Sequence, residues 1–239
     1  VEHRCRIKLK EWIKAKLVKS GTRKVKAGWL LACGSATGKA YDLATAKAYD
    51  LATAEAYESA TVEAYGAAIV KAFGSAKVRA YGSAIVEASE SATVEAYGSA
   101  IVEAYDSSRV TACGSATVRA YGLSTVKAYS LATVEAYGSA RVRAYDSAAV
   151  TAYDLTTVRA YDSATVEACG SATVEAYGSA MAGVCGSATV EAYESAAVTA
   201  RGSATVIKWC SRATVASKGV YVVVVDRSVS PVRCSVGPK

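Results

Sequence analysis

The side chains in this sequence able to do chemistry are few in kind and evenly spaced. His3 is the single imidazole, so the many serines have no imidazole among the repeats to act as their base. The seven cysteines include no C-x-x-C pair and no Cys/His cluster of the zinc-binding kind. Cys33, Cys113, Cys169 and Cys185 lie at multiples of eight residues. Cys169 and Cys185, sixteen apart, would be close enough to bridge. Side chains in parallel register point the same way, however, so free thiols are expected. Carboxylates recur throughout, and an opposed pair could serve glycoside hydrolysis, but no pair differs from its many equivalents. Catalytic residues, a metal site and a cofactor are therefore not assigned, and a non-enzymatic protein is expected.

Three other sets are candidates for binding. Lys77, Arg79, Arg109, Lys127, Arg141, Arg143 and Arg159 recur among threonines, a spacing suited to phosphate or sulfate groups. Ile69, Ile85 and Ile101 fall at sixteen-residue steps and are a candidate interface, because exposed apolar residues in a row mark contact surfaces. Tyrosines at sixteen-residue steps form a candidate stacked ladder: Tyr49, Tyr65, Tyr81 and Tyr97, then Tyr129, Tyr145, Tyr161, Tyr177 and Tyr193.

These residues are positioned by an eight-residue repeat with the consensus Y-G-S-A-T-V-E-A, which runs without insertion for twenty-two copies over residues 33–208. Within A-T-V-E-A, small apolar residues alternate with variable polar ones, the signature of a strand with one face buried. The Y-G-S portion is a corner, its second residue always Gly, Asp, Glu or Ser. A helix is excluded, since eight residues do not match 3.6 per turn and Val, Thr and Gly disfavour it.

Substitutions at the fifth position set the number of octads per coil. Ile69, Ile85, Ile101, Ala149, Met181 and Ala197 fall in alternate copies of one parity, and Lys77, Arg109 and Arg141 in copies of the other. Neighbouring octads thus face different surroundings, while octads sixteen residues apart share one. An interior of Ala and Val also fits two closely apposed sheets better than a wider prism. The expected fold is an all-β, flat, two-sided parallel β-solenoid with sixteen residues per coil and about 11 coils. At the seventh position Lys39, Glu55, Lys71 and Glu87 would stack with alternating charge.

The net charge of +7 is unevenly placed. Ten basic residues and two glutamates give residues 1–27 a charge of +8; twelve basic and eighteen acidic residues give 28–207 a charge of −6; six basic residues and one acid give 208–239 a charge of +5. Residues 1–32 are read as a basic N-terminal cap in which Ile7, Leu9, Trp12, Ile13 and Leu17 cover the first coil. Residues 209–239 are read as a C-terminal cap containing a strand at 219–226, with Pro231 discouraging further pairing. The longest apolar runs fall well short of the ~18 residues of a membrane-spanning helix.

The Y-G-S corner, as at Tyr97-Gly98-Ser99, the alternation after it and the stacked tyrosines are similar to the octapeptide repeats of bacterial ice-nucleation proteins over residues 33–208. The resemblance implies a two-sided solenoid whose threonine rows order water. That family presents Thr-x-Thr, whereas this chain has Thr-Val-Glu, Thr-Val-Lys or Thr-Val-Arg. The leading expectation is a structural or scaffold solenoid, of the kind used on a microbial surface or phage appendage, contacting partners through its faces or caps. Ice or ordered-water binding is the alternative, and polyanion binding through the basic face a second one. The partners these imply are a second copy, through the Ile face or Tyr ladder, and a polyanion or surface glycan. Cytoplasmic, secreted and virion-associated locations all stay open.

Overall fold

Each A-T-V-E-A stretch forms a four-residue strand whose second and fourth residues are buried and whose first and third face outward, as in Thr61–Ala64. The computed structural model describes residues 17–217, 222–229 and 232–236. In it these strands build an all-β parallel β-solenoid of about 13 turns, with two sheets, a sixteen-residue period and no helix among the described residues. Successive octads alternate between the sheets. Thr45–Ala48 pairs in parallel with Thr61–Ala64, and Thr53–Ala56 with Ile69–Ala72, every residue opposite the one sixteen places on.

The coil count exceeds the expected 11 because the flanks continue the stack. Leu17–Val18 pairs with Trp29–Ala32, and Thr22–Val25 with Thr37–Ala40. At the other end Thr214–Ser217 adds to Ala197–Ala200, and Val223–Asp226 to Thr205–Lys208. These segments lack the octad consensus, but a parallel ladder is made by backbone N–H and C=O groups and asks little of side-chain identity. Of the proposed N-terminal cap, Leu17 lies in a strand opposite Leu31, while Ile7, Leu9, Trp12 and Ile13 lie outside the described residues. Pro231 also lies outside them, yet pairing resumes beyond it. Arg233–Val236 runs antiparallel to Val223–Asp226, so the expected end of pairing at Pro231 is corrected.

Two compact units are distinguished, residues 1–102 and 103–239. In the first, one sheet runs from Leu17–Val18 to Thr93–Ala96, and the other from Thr22–Val25 to Ile85–Ala88. In the second, one sheet runs from Arg109–Ala112 to Arg233–Val236, and the other from Thr117–Ala120 to Thr214–Ser217. Within each unit the interior is a layer of fully buried Ala and Val. Ser108, Ser124 and Thr156 replace the fourth-position Ala and are equally buried. Thr156 Oγ1 donates to the Tyr153 carbonyl, whereas the Ser108 and Ser124 hydroxyls have no partner. A buried unpaired hydroxyl costs about 1–3 kcal/mol.

Corners are closed by the fourth-position N–H, as where Ala44 donates to the Tyr41 carbonyl at 3.0 Å. The ladder continues round them, Ser83 N–H reaching the Gly66 carbonyl at 2.9 Å. The second residue takes positive φ, 69° at Gly74 and 58° at Glu58. That explains the preference for Gly and Asp there, since most L-residues enter this region at a cost of ~1–2 kcal/mol. A Cβ on Gly74 would lie 2.9 Å from the Glu58 Cα, while on Gly138 its nearest neighbour would be 3.5 Å away. Gly74→Ala should therefore lower stability by about 2 kcal/mol and Gly138→Ala by about half that, while Ser124→Ala raises it by about 1 kcal/mol. Urea midpoints of the three variants check the order; equal losses from both glycines would remove the crowding argument.

Candidate functional site

In-register stacking turns each outward position into a column. On one sheet Ile69 lies opposite Ile85, and the Ile101 N–H bonds the Ala84 carbonyl at 2.9 Å, continuing the row. All three side chains are exposed, at 41–43%. Beside them Lys71 meets Glu87 at 2.9 Å, and further along the sheet Lys39 meets Glu55 at 2.7 Å. The expected alternation of Lys39, Glu55, Lys71 and Glu87 is present in the register. In the second unit the same pattern places Arg119 between Glu103 at 3.6 Å and Glu135 at 3.1 Å.

The other sheet carries the seven candidate cations, but they differ in surroundings. In the first unit Lys47 meets Glu63 at 2.7 Å, and Arg79 stands between Glu63 at 3.9 Å and Glu95 at 3.1 Å. Lys77 is flanked in register by Thr61 and Thr93. In the second unit alternation breaks down. One column reads Arg109, Thr125, Arg141, Thr157, and the next Thr111, Lys127, Arg143, Arg159. Only Arg159 reaches a carboxylate, Glu175 at 2.9 Å; Arg109, Lys127, Arg141 and Arg143 form no ion pair among the described residues. A shallow cleft of about 430 Å³ lies here, lined by Thr125, Arg141, Arg143, Thr157 and Arg159.

The tyrosine ladders flank these columns. Tyr49, Tyr65, Tyr81 and Tyr97 stack with ring centroids 5.0–5.2 Å apart, and Tyr129, Tyr145, Tyr161, Tyr177 and Tyr193 at 4.6–5.1 Å. A second ladder, not singled out in the sequence, occupies the opposite corner: Tyr41, Tyr57 and Phe73 in the first unit, and Tyr105, Tyr121, Tyr137 and Tyr153 in the second. Further along that corner Cys169 and Cys185 form a disulfide across a Cα–Cα distance of 4.7 Å, which corrects the expectation of free thiols. The thiols lie in the corner just beyond a strand, where rotation about χ1 turns a one-atom side chain along the stack; a tyrosine ring there must lie flat on its neighbour.

The octad also builds a link that its alternation hides. A seventh-position Glu accepts from the Tyr two residues on: Tyr57 Oη donates to Glu55 at 2.6 Å, Tyr65 to Glu63 at 3.1 Å and Tyr177 to Glu175 at 2.9 Å. The recurring Glu-Ala-Tyr triplet was the signal for it. The bond to Glu55, with burial second, pushes the Tyr57 phenol up to about 12. The bond from Lys47, helped by Tyr65, holds Glu63 below the usual carboxylate range against its burial. Where the seventh position is a cation, the bond is missing: Tyr129, Tyr145 and Tyr161 follow Lys127, Arg143 and Arg159, and their hydroxyls have no partner among the described residues.

Among the described residues no group of three or more His, Cys, Asp and Glu side chains could hold a metal ion. Neither protein-family models, nor curated proteins, nor solved structures yield a match to this chain.

The Glu-Ala-Tyr links make stability fall in alkali. Tyr57 holds its proton more tightly folded, about 12, than unfolded, near 10.0, so its contribution is complete below about pH 10 and disappears as pH rises through about 12. Urea midpoints taken from about pH 9 upward should decline, and Tyr57→Phe should make the decline shallower. A decline as steep in Tyr57→Phe as in the parent would remove Tyr57 from the cause.

Proposed function

We propose that the protein is a non-enzymatic solenoid scaffold that holds rows of side chains in fixed register and contacts partners through its flat faces. The observation that carries this reading is the regularity of the outward columns. Two columns per sheet repeat at one rung, about 4.8 Å, over a close-packed Ala and Val interior. A surface of that kind suits an extended or repeating partner better than a small molecule held by converging groups.

The Ile69, Ile85 and Ile101 row is the first candidate contact, and a second copy of the chain is its occupant in this reading. The Lys71–Glu87 pair beside the row supports it. A two-fold axis pairs residue i of one copy with residue j of the other and j with i, so Lys71 of each copy can face Glu87 of the other while the isoleucines meet. Ice or ordered-water binding draws support from one feature, the in-register row of Thr157, Thr173, Thr189 and Thr205. The neighbouring column there reads Arg159, Glu175, Glu191 and Ile207, and charged groups hold hydration shells of their own, so the scaffold reading is preferred.

Light scattering on the eluting peak of a size-exclusion column tests the contact. The parent chain should elute as a dimer and Ile85→Lys as a monomer with unchanged circular dichroism, Ile85 being exposed on its face. A parent and variant of the same mass would take the isoleucine row out of the reading.

A further inference from the structure

We infer that the cation columns between Arg109 and Arg159 form a binding site for a sulfated or carboxylated polysaccharide chain. This goes beyond the scaffold reading and stands on its own observations. In other stretches the seventh-position column alternates in sign, as at Lys47, Glu63, Arg79 and Glu95, or at Glu103, Arg119 and Glu135, while Glu175 opposite Glu191 is a pair of like negative charge. Lys127, Arg143 and Arg159 instead lie directly opposite one another on three successive rungs. Like charges in that relation destabilise a sheet, so the fold is weakened here by an arrangement that favours a bound anion. Arg109 and Arg141 in the adjoining column bring the number of cations to five, and among the described residues the only carboxylate within ion-pair reach of any of them is Glu175, beside Arg159.

The geometry points to the class of anion. The cations sit about 4.8 Å apart along a column, and the two columns lie two residues apart on the same strands, so the array is a flat strip. It suits a linear polyanion lying along the stack. Arg141, Arg143 and Arg159, with Thr125 and Thr157, line the cleft of about 430 Å³. The threonine hydroxyls there, with the unpartnered phenols of Tyr129, Tyr145 and Tyr161 at the margin, can bond both anionic groups and sugar hydroxyls. A single-stranded nucleic acid would need open aromatic faces on which to stack its bases. The rings of Tyr129, Tyr145 and Tyr161 lie against one another at 4.8 and 4.9 Å, so their faces are taken.

The test uses a fluorescent heparin oligosaccharide of defined length, a single-stranded oligonucleotide of equal charge and the full chain, followed by anisotropy at several salt concentrations. The heparin fragment should bind at low salt and weaken as salt rises, with a log–log slope corresponding to about three neutralised charges. Arg143→Glu should lower heparin affinity at least about tenfold while raising the thermal midpoint, because it restores alternation between Lys127 and Arg159. Arg143→Gln, which adds no charge, should lower affinity by about threefold and guards against a folding defect in the first variant. Arg119→Gln, a paired cation on the other sheet, should change affinity less than about twofold. Loss of binding at Arg143 together with a raised midpoint supports the site. The assignment falls if the heparin fragment fails to bind at low salt, if Arg119→Gln weakens it as much as Arg143→Gln does, or if the oligonucleotide binds as tightly as the heparin fragment. None of these outcomes touches the oligomer test, which concerns the isoleucine row on the opposite sheet.

Discussion

Every feature of this protein depends on one constraint: in a parallel stack with a sixteen-residue period, each side chain faces its own counterpart one rung away. The backbone sets that distance at about 4.8 Å, and the side chains must accept it. Inside, Ala and Val meet Ala and Val, and the two sheets approach closely because nothing larger intervenes. At the corners the same rule brings second-position residues together. Gly178 lies so near Asp162 that a Cβ on it would stand 3.1 Å from the Asp162 nitrogen. Positive φ therefore recurs at one place in the octad, where Gly and Asp are commonest and Glu58, Glu90 and Glu194 also adopt it.

On the outside, self-stacking has opposite consequences for rings and for charges. Aromatic rings gain from meeting their own kind, and the tyrosine ladders do so with near-parallel planes. Charges lose, and over Lys39 to Glu87 and Lys47 to Glu95 the sequence answers with alternation. Glu55 illustrates this: burial pushes its carboxyl up, but the bonds from Lys39 and Tyr57 outweigh burial and leave it below its ordinary value. The Glu-Ala-Tyr link ties the two responses together, since a carboxylate that neutralises a cation on the next rung also accepts from the tyrosine beside it. A stretch with neither alternation nor that link stands out physically, and Lys127 to Arg159 is one.

What the sequence made legible follows from the same rule. A period repeated twenty-two times lets substitutions be sorted by parity, so the two sheets, the isoleucine row and the cation set were readable before any coordinates. Features that depend on atoms rather than on period were not. The Cys169–Cys185 bridge turns on χ1 rotation at a corner, and strand logic predicted the opposite. The pairing of cations with carboxylates separates Arg79 and Arg159 from Arg141 and Arg143, although all four looked alike as letters. The flanks failed for a different reason. Thr-Arg-Lys-Val has no inward alternation of small apolar residues, yet Thr22–Val25 joins the ladder because backbone pairing already templated by the next coil needs no consensus.

The pairing sense of the ladder changes at Val223–Asp226. A parallel coil presents its outer strand as an edge of free N–H and C=O groups in the spacing that another coil, or another chain, would match. Across the last parallel strand of one sheet, Val223–Asp226, the chain places Arg233–Val236 in the antiparallel sense. An antiparallel strand spends its bonds in closely and widely spaced pairs, a pattern that a further parallel coil cannot continue in register. Asp226 strengthens the junction by accepting from Lys208 at 3.4 Å and from the Ser228 N–H at 3.0 Å, which fixes the chain where it leaves the parallel course. Reversal of strand sense therefore gives this edge a bonding pattern unlike that of the parallel coils before it.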